Sequence, residues 1–238
     1  MSLEIYPILC NAGFMDNYAY VLIDSETKVS AIVDAAEEKP IVEFCQKQDI
    51  IPSYILTTHH HEDHTNANLA LKKRFNAKVV GSKIEENLIS GLDIALNDGD
   101  LFKLGNSEAA AILASGHTNG HLLWYFFKDK AIFTGDVLFN LCIGGLFEGT
   151  PQQMWQSLQK IKDLPNDVRF YPGHEYTKSA FGYLITNQNQ PQIQKYLQFL
   201  EQCRQNNQPP VGNTLGLEKL CNPYLLLQTE ADFVNQMS

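Results

Sequence analysis

The sequence predicts an α+β fold that carries a helical domain at its C-terminal end. Apolar runs rich in β-branched and aromatic residues recur between residues 17 and 172, which is typical of strands. Amphipathic helical segments alternate with these runs. Beyond residue 174 the β-branched runs cease, and glutamine-rich segments with helical spacing replace them. We therefore predict two domains, residues 1–173 and residues 174–238.

The first part of the chain is predicted to form a hairpin, a strand and a helix. The runs "NYAYVLID" (17–24) and "KVSAIVDA" (28–35) are separated by a short polar stretch, as in a β-hairpin. "IIPSYILTT" (50–58) predicts another strand. "TNANLALKKRF" (65–75) spaces Ala67, Leu71 and Phe75 at helical intervals. The histidine-rich stretch between these two segments is therefore expected on a strand-to-helix loop.

Four further strands and a covering helix are predicted before residue 174. The strands are "AAAILA" (109–114), "LLWYFF" (122–127), "AIFTG" (131–135) and "VRFYP" (168–172), with "FKDKA" as the hairpin turn between the second and third. In "TPQQMWQSLQKIKDL" (150–164), Thr150 is suited to the N-cap and Pro151 to the first helical turn. After residue 174, "QIQKYLQFLEQC" (192–203) has the apolar spacing of a helix.

The composition argues against nucleic acids and membranes as partners. Lys and Arg number 18 against 27 Asp and Glu, so the net charge of −9 offers no source for the counterion release that drives nucleic-acid binding. No apolar stretch approaches the roughly 20 residues that span a bilayer. The five cysteines are scattered and include no CxxC pair, which argues against a disulfide framework. With no basic segment ahead of an apolar run near residue 1, we expect a cytoplasmic protein, and we expect a monomer.

All seven histidines fall in three short segments. These segments are "TTHHHEDH" (57–64), "SGHTNGH" (115–121) and "YPGHEY" (171–176). Each of them, together with Asp136 in "FTGD", directly follows a strand-like run. Because loops held by a rigid sheet commonly position functional groups, four strand ends could bring these side chains to one edge of the fold.

Imidazole and carboxylate groups in this pattern indicate a metal site. Such ligands suit zinc, iron or manganese, and the lack of nearby thiolates argues against a structural zinc site. His59 and His61 would place two rings on one side of an extended loop, with His60 on the other. Asp63 and His64 then point elsewhere as the helix begins, which favours a second metal. A carboxylate could bridge two metals about 3.5–4 Å apart, and Asp136 is the candidate for that bridge.

These motifs resemble the metallo-β-lactamase superfold and, within it, the glyoxalase II family of hydroxyacylglutathione hydrolases. The resemblance spans almost the whole chain, from "TTHHHEDH" through "GHTNGH", "FTGDVLF", "FEGTP" and "YPGHEYT" to "NTLGLEKLCNPY". It implies a four-layer αββα sandwich up to about residue 173, with the C-terminal helical domain lying over the active site.

The resemblance also implies a binuclear metallo-hydrolase with two divalent ions per chain, zinc first and iron or manganese as alternatives. The implied ligands are His59, His61 and His117 for one metal, Asp63, His64 and His174 for the other, and Asp136 as the bridge. The implied substrate is a glutathione thioester, mainly S-D-lactoylglutathione, which is hydrolysed to D-lactate and glutathione in methylglyoxal detoxification. A metal-bridging hydroxide would attack the thioester carbonyl, and Asp63 could accept the proton when the tetrahedral intermediate collapses.

The glutathione-recognition residues of the family are only partly present. Gly145 stands where a lysine is usual, Phe147 replaces a tyrosine, and Ala180 replaces an asparagine, while Tyr176 is retained. The C-terminal segment "LLLQTEADFVNQMS" lacks basic residues. We therefore expect substrate contacts from Tyr176 and Phe147. Lys178 either meets a substrate carboxylate or is a solvated surface lysine.

Other functions remain open at the sequence level. A persulfide dioxygenase shares the superfold and a similar metal-site sequence but binds one iron and catalyses an oxidation. A hydrolase of a different acyl-thioester would explain the missing cationic residues. A metal-binding module without activity would be expected to have lost a ligand, and none is missing. The sequence therefore favours the thioester hydrolase.

Overall fold

Two β-sheets pack face to face in the computed structural model, which describes residues 3–237. The first sheet has six strands in the order β1 to β6. Its strands are Leu3–Cys10 (β1), Asn17–Asp24 (β2), Ser30–Val33 (β3), Tyr54–Leu56 (β4), Lys78–Ser82 (β5) and Leu92–Leu96 (β6). The first three strands pair antiparallel, and the remaining pairs are parallel. The sheet is therefore mixed.

The second sheet has five strands and is also mixed. Its order is β13–β10–β9–β8–β7, with only β10 and β13 parallel. The strands are Leu101–Leu104 (β7), Ser107–Leu113 (β8), Leu122–Phe126 (β9), Ala131–Gly135 (β10) and Arg169–Pro172 (β13). A separate short hairpin joins Leu138–Phe139 (β11) to Cys142–Ile143 (β12). This hairpin follows directly after β10.

An aromatic core fills the space between the two sheets. Trp124 of β9 and Tyr20 of β2 are almost completely buried there, and the Tyr20 ring contacts that of Phe133 edge to face at 5.2 Å. The Trp124 indole donates a hydrogen bond to the carbonyl of Thr57 at 3.3 Å, so its polar atom is satisfied. Strand side chains alternate between this core and the outer faces of the sheets.

Helices cover the outer face of each sheet. Glu38–Lys47 (α1) and Asn68–Phe75 (α3) pack on the first sheet, with Ile41 and Leu71 completely buried. Pro151–Asp163 (α4) and Glu230–Met237 (α8) pack on the second sheet. The resulting order of layers is helix, sheet, sheet, helix, which confirms the predicted α+β class and its four-layer arrangement.

The predicted start of the covering helix is confirmed in detail. Thr150 accepts a hydrogen bond from the Gln153 backbone, and the Gln153 side chain accepts one from the Thr150 backbone, which makes a capping box. Pro151 occupies the first helical turn, where its missing N–H costs nothing.

The C-terminal helices form a smaller core that adjoins the second sheet. They are Phe181–Asn187 (α5), Pro191–Gln205 (α6) and Leu215–Cys221 (α7), preceded by a 3-10 turn at Thr177–Ala180. Leu184, Ile193 and Tyr196 are completely buried in this small core. Leu215 and Phe233, in contrast, belong to the core under α4. The predicted C-terminal helical region is therefore present, while the domain boundary near residue 174 stays a prediction.

Some element boundaries differ from those that the sequence predicts. The strand predicted over residues 50–58 is limited to Tyr54–Leu56, where it pairs with both neighbours. The helix predicted over residues 65–75 is divided into Glu62–Thr65 (α2) and Asn68–Phe75. No helix within residues 3–237 has both the length and the apolar character needed to span a bilayer.

Strand directions bring the polar loops to one edge of the fold. Strands β3, β4, β10 and β13 all end at this edge, because β3 is parallel to β4 and β10 is parallel to β13. The antiparallel neighbours β2 and β9 begin there. The residues that follow or precede these strand ends include Asp34, His59, Asp136 and His174, so all of them meet at the same edge. Ligand sites commonly lie outside the carboxyl ends of such strands.

A buried carboxyl group connects the C-terminal helices to the β11–β12 hairpin. Glu218 of α7 is 0% exposed and accepts hydrogen bonds from the Leu141 backbone at 2.6 Å and the Asn222 amide at 2.9 Å. The Tyr196 hydroxyl lies 2.8 Å from Glu218 Oε2 and 2.9 Å from Asn140 Oδ1. One hydroxyl proton serves only one acceptor, so both contacts are hydrogen bonds when Glu218 is protonated. Burial raises the pKa of Glu218 to about 7.

We predict that the stability of this protein falls as Glu218 ionises. Its pKa in the folded state is about 7, above the ordinary value of 4.5, so the folded chain holds the proton more tightly between these two pH values. The free energy of unfolding, relative to that of Glu218→Gln, should therefore fall by roughly 3 kcal/mol between pH 4 and pH 8. Urea unfolding of both proteins in the same buffers measures this difference. A difference that is independent of pH would contradict the prediction.

Candidate metal centre

Seven imidazole and carboxylate groups meet at the strand-end edge. His59 and His61 lie on the loop after β4, and Asp63 and His64 lie in α2, which begins directly after that loop. The other three are His117 from the β8–β9 loop, Asp136 after β10 and His174 after β13. These are the seven residues that the sequence predicts as metal ligands, and the structure brings all of them together.

The first group consists of three imidazole rings. The Nδ1 atom of His61 lies 3.1 Å from Nε2 of His59 and 3.0 Å from Nε2 of His117. His59 is completely buried, and His117 is 4% exposed. Three ring nitrogens therefore face a common point.

The second group combines two rings and a carboxylate. The Nε2 atoms of His64 and His174 lie 3.2 Å apart, and Asp63 Oδ2 lies 3.3 Å from the latter. The Asn17 amide donates a hydrogen bond to the same Asp63 oxygen at 2.9 Å. In both groups the nitrogen and oxygen atoms lie within 4.8 Å of one another, so each group could hold a metal ion.

Asp136 lies between the two groups. Its Oδ2 atom is 3.2 Å from His174 Nε2 and 3.5 Å from His117 Nε2, and its Oδ1 atom is 3.3 Å from His64 Nε2. A side chain on Gly173 would collide with Oδ1, so the glycine leaves room for this carboxylate. One carboxylate therefore reaches both groups.

Three of the five rings have their second nitrogen held by an oxygen outside the cluster. His117 Nδ1 lies 2.8 Å from the Gly145 carbonyl, and His174 Nδ1 lies 2.8 Å from the Met15 carbonyl. His64 Nδ1 lies 2.9 Å from Asp34 Oδ2. Because carbonyl and carboxylate oxygens only accept hydrogen bonds, these Nδ1 atoms carry protons, and the Nε2 atoms are the ones that face the cluster.

The electrostatics of the two groups differ. Burial, followed by the neighbouring rings, lowers the pKa of His59 well below its ordinary value and that of His61 to about 4. Burial also acts to lower the pKa of His64 and His174, but the nearby carboxylates together outweigh it, with Asp136 acting on both rings, Asp34 on His64 and Asp63 on His174. The pKa of His64 therefore lies well above its ordinary value, and that of His174 is raised to about 9. The carboxylates accumulate near the second group, where they favour positive charge.

This set of donors fits divalent cations. In the first group, ring nitrogens of low pKa face one another at 3.0–3.1 Å, which brings lone pairs together, and a cation between them removes that repulsion. In the second group, a cation would supply the positive charge that the carboxylates favour. Imidazole and carboxylate donors with a fixed outer partner on each ring are the chemistry of zinc, iron and manganese sites.

The two other histidines do not face the cluster with a free nitrogen. His60 points away, as predicted, and lies 3.3 Å from Glu85 and 3.2 Å from Glu148. His121 accepts a hydrogen bond from the Asp136 backbone N–H at 3.1 Å, and its ring stacks on His59. His121 therefore supports two of the candidate ligands from outside the cluster.

A cavity of about 510 Å³ opens onto the cluster. Tyr176 and Phe147 line it, as expected of substrate-contacting residues; Tyr176 stacks on His174 at 4.6 Å, and Phe147 contacts the rings of His61 and His117. Lys178 lies instead in a neighbouring cavity of about 500 Å³, together with Glu175 and Arg204. Sequence reasoning missed Asn17 and the carbonyls of Met15 and Gly145, and no pattern in the sequence marks them.

Comparison with known proteins identifies the family. A model of the metallo-beta-lactamase superfamily matches residues 17–174, and a model of the hydroxyacylglutathione hydrolase C-terminus matches residues 175–237. A hydroxyacylglutathione hydrolase of Pelagibacter ubique is 36% identical over 232 residues, which covers 97% of this chain and 96% of the relative. One from a Chelativorans species is 40% identical over 226 residues, with 94% and 88% covered.

Solved structures with low sequence identity share the fold. The BLEG-1 B3 metallo-beta-lactamase superposes with a TM-score of 0.73 at 22% identity, covering 93% of this chain and 99% of its own. ETHE1 from Myxococcus xanthus superposes with a TM-score of 0.75 at 23% identity, covering 98% and 89%. The motif resemblance, the four-layer fold and the curated relatives therefore agree: the chain belongs to the hydroxyacylglutathione hydrolase (glyoxalase II) family of the metallo-beta-lactamase superfamily.

Proposed function

We propose that this protein hydrolyses glutathione thioesters, mainly S-D-lactoylglutathione, with two divalent metal ions in the candidate centre. The observation that carries the proposal is the convergence of seven donor groups from separate strand ends, with Asp136 reaching both halves. The curated relatives named hydroxyacylglutathione hydrolase, which match nearly the whole chain, support the same activity.

The two metals would be held by the two groups of side chains. His59, His61 and His117 would hold the first, and Asp63, His64 and His174 the second, with Asp136 shared between them. Zinc is our first choice, with iron or manganese as alternatives, because all of these metals accept imidazole and carboxylate ligands. Bound divalent ions would acidify water and polarise the thioester carbonyl.

The side chains around the centre would orient the reacting groups and handle the proton. Asp63 is partly exposed to the cavity; burial alone would raise its pKa, but the rings of His174 and His64 hold that pKa below its usual range. As a carboxylate it could accept a proton transiently when the tetrahedral intermediate collapses. The leaving thiolate has an ordinary pKa of about 8.5, so its departure does not require a general acid.

Substrate contacts would come from the cavity wall. Phe147 and Tyr176 offer ring faces beside the cluster, and Lys178 is our candidate for a substrate carboxylate that extends towards the neighbouring cavity. A second candidate function is the hydrolysis of a thioester on another thiol carrier. The lining of the site cavity favours this candidate, because it includes the acidic Glu62 but neither Lys nor Arg.

The proposal also includes a cytoplasmic, monomeric protein. Each of the five cysteines is free, and Cys10, Cys45 and Cys221 are buried, which is the usage typical of a reducing compartment. Size-exclusion chromatography with light scattering checks the oligomeric state.

We predict that Asp136→Asn loses both metal and activity. The substitution removes the one negative charge shared by both groups, so metal content should fall below two per chain. The kcat for S-D-lactoylglutathione should fall by more than roughly 100-fold. This loss exceeds the loss expected when a residue that only hydrogen-bonds to a metal ligand is replaced. Metal analysis and steady-state kinetics on the same preparation measure both effects.

The matched control for that experiment is His60→Gln, from the same run of histidines. It should keep the metal content of the unmodified protein. Loss of metal in the control, or full metal content and activity in Asp136→Asn, would refute the assignment. Oxygen uptake with glutathione persulfide in place of thioester hydrolysis would favour the dioxygenase alternative.

Asp34→Asn should weaken metal binding at the second group. Asp34 lies 2.9 Å from His64 Nδ1, and an amide there no longer supplies a charge that orients the ring. We expect a 10–100-fold loss in metal affinity, measured by chelator competition. Asp34 has a φ of 56°, which asparagine also tolerates. The exposed Asp49→Asn, at a φ of 55°, is the control and should leave affinity unchanged.

Lys178→Ala should raise KM for S-D-lactoylglutathione several-fold with little change in kcat. This result is expected if the ammonium contributes equally to binding of substrate and transition state. The increase should diminish at high salt, since the charge is exposed. The exposed Lys195→Ala on α6 is the control. An unchanged KM in Lys178→Ala would assign the lysine to the solvated surface.

A further inference from the structure

The carboxyl group of Glu218 lies at the tip of the β11–β12 hairpin, outside the cluster of metal-ligand candidates. It accepts a hydrogen bond from the backbone N–H of Leu141 at 2.6 Å, and neither residue lines the cavity at the cluster. A carboxyl group is a costly choice for a completely buried position, where an apolar side chain would pack without desolvation. Its specific contribution is the acceptor for this backbone N–H.

The turn that Glu218 contacts is strained. Leu141 has a φ of 60°, in the left-handed region that residues with a β-carbon seldom adopt. Its side chain is buried in the small core of the C-terminal helices. Strained positions of this kind persist only when the surrounding contacts determine them, and they concentrate at functional sites. The contacts from the C-terminal helices therefore hold the turn in its conformation.

Other contacts at the same tip come from the C-terminal part of the chain. The Asn140 side chain donates to the Pro210 carbonyl at 2.7 Å and to the Thr177 hydroxyl at 3.0 Å. The Asn222 amide donates to the Cys142 carbonyl at 3.1 Å as well as to Glu218. Glu218 is thus the central member of a set of hydrogen bonds that fixes the tip.

The hairpin is short, with a candidate ligand before it and the carbonyl partner of another candidate ligand after it. Asp136 precedes β11 by two residues, and Gly145 follows β12 by two residues. The Gly145 carbonyl orients the ring of His117 at 2.8 Å. Gly144 donates its backbone N–H to the Val137 carbonyl at 3.4 Å, and a side chain at Gly144 would collide with the Asp136 carbonyl, so the segment after β12 packs directly against the segment before β11. A displaced tip would therefore misplace the partner of His117 Nδ1.

We propose that Glu218 is a positioning residue for the metal centre. By fixing the strained turn at Leu141, it sets the position of the Gly145 carbonyl and hence the direction of His117 Nε2. This inference rests on the proposed metal site, but it does not depend on the identity of the thioester.

The test compares Glu218→Leu with Glu218→Gln. Glutamine keeps an acceptor for the Leu141 N–H and can donate to the Tyr196 hydroxyl, whereas leucine does neither. We expect Glu218→Leu to weaken zinc affinity about tenfold, which is at the low end of the loss seen when residues that hydrogen-bond to metal ligands are replaced. Glu218→Gln should keep the zinc affinity of the unmodified protein. Chelator competition measures affinity. Hydrogen exchange of the segment 138–145 should be faster in the leucine variant and near normal in the glutamine variant.

Two further variants separate positioning from general loss of stability. Ile41→Val, in the core between α1 and the first sheet, lowers stability away from the hairpin and should leave zinc affinity unchanged in the folded protein. Tyr196→Phe removes only one hydroxyl from the hydrogen bonds around Glu218, so it remains informative if Glu218→Leu does not fold. Its zinc affinity should fall in the same direction by a smaller factor. Unchanged affinity in Glu218→Leu, or in Tyr196→Phe if the leucine variant does not fold, would overturn the proposal.

Hydrolysis of S-D-lactoylglutathione provides an independent measurement. We expect kcat to fall with zinc occupancy in Glu218→Leu while KM stays within about twofold. If the unmodified protein binds zinc but does not hydrolyse the thioester, the proposed function fails and the zinc-affinity comparison still decides the role of Glu218. Equal loss of affinity in Ile41→Val would reduce Glu218 to a stability role and contradict the inference.

Discussion

The structure depends on keeping seven buried or partly buried donor groups within contact of one another. Imidazole lone pairs that face each other, and carboxylates removed from water, are unfavourable unless a positive charge lies among them. The fold supports the arrangement by fixing the far side of most rings with an oxygen acceptor, from Asp34, Met15 or Gly145. This outer set of contacts determines which nitrogen faces the cluster.

Sheet topology makes that convergence possible. Two mixed sheets pack through an aromatic core, and their strand directions place the ends of β3, β4, β10 and β13 at one edge. The core residues Trp124 and Tyr20 make no contact with substrate in our proposal, but they fix the spacing of the sheets from which the loops extend. The rigid strands supply the stability of the fold, and the polar loops at their ends supply the functional groups.

The C-terminal region contributes to the site in two ways, through contacts with the β11–β12 hairpin and through a residue that borders the cavity. Glu218 and Tyr196 contact the hairpin that lies between Asp136 and Gly145, while the 3-10 turn after His174 borders the cavity through Tyr176. The cavity lining includes aromatic rings but neither Lys nor Arg. Family membership and the recognition of a particular thiol carrier are therefore separate questions for this chain.

The sequence by itself determined the fold class, seven of the thirteen strands in residues 3–237, the capped helix at Thr150 and the family, because these depend on local periodicity, capping and motif spacing. It also proposed the seven donor groups that the structure brings together. Only the tertiary structure decided the roles of Asn17, Asp34 and Glu218, and placed Lys178 beside a neighbouring cavity. Backbone carbonyls such as those of Met15 and Gly145 have no signature in a sequence. Their function arises from long-range packing, which local patterns do not encode.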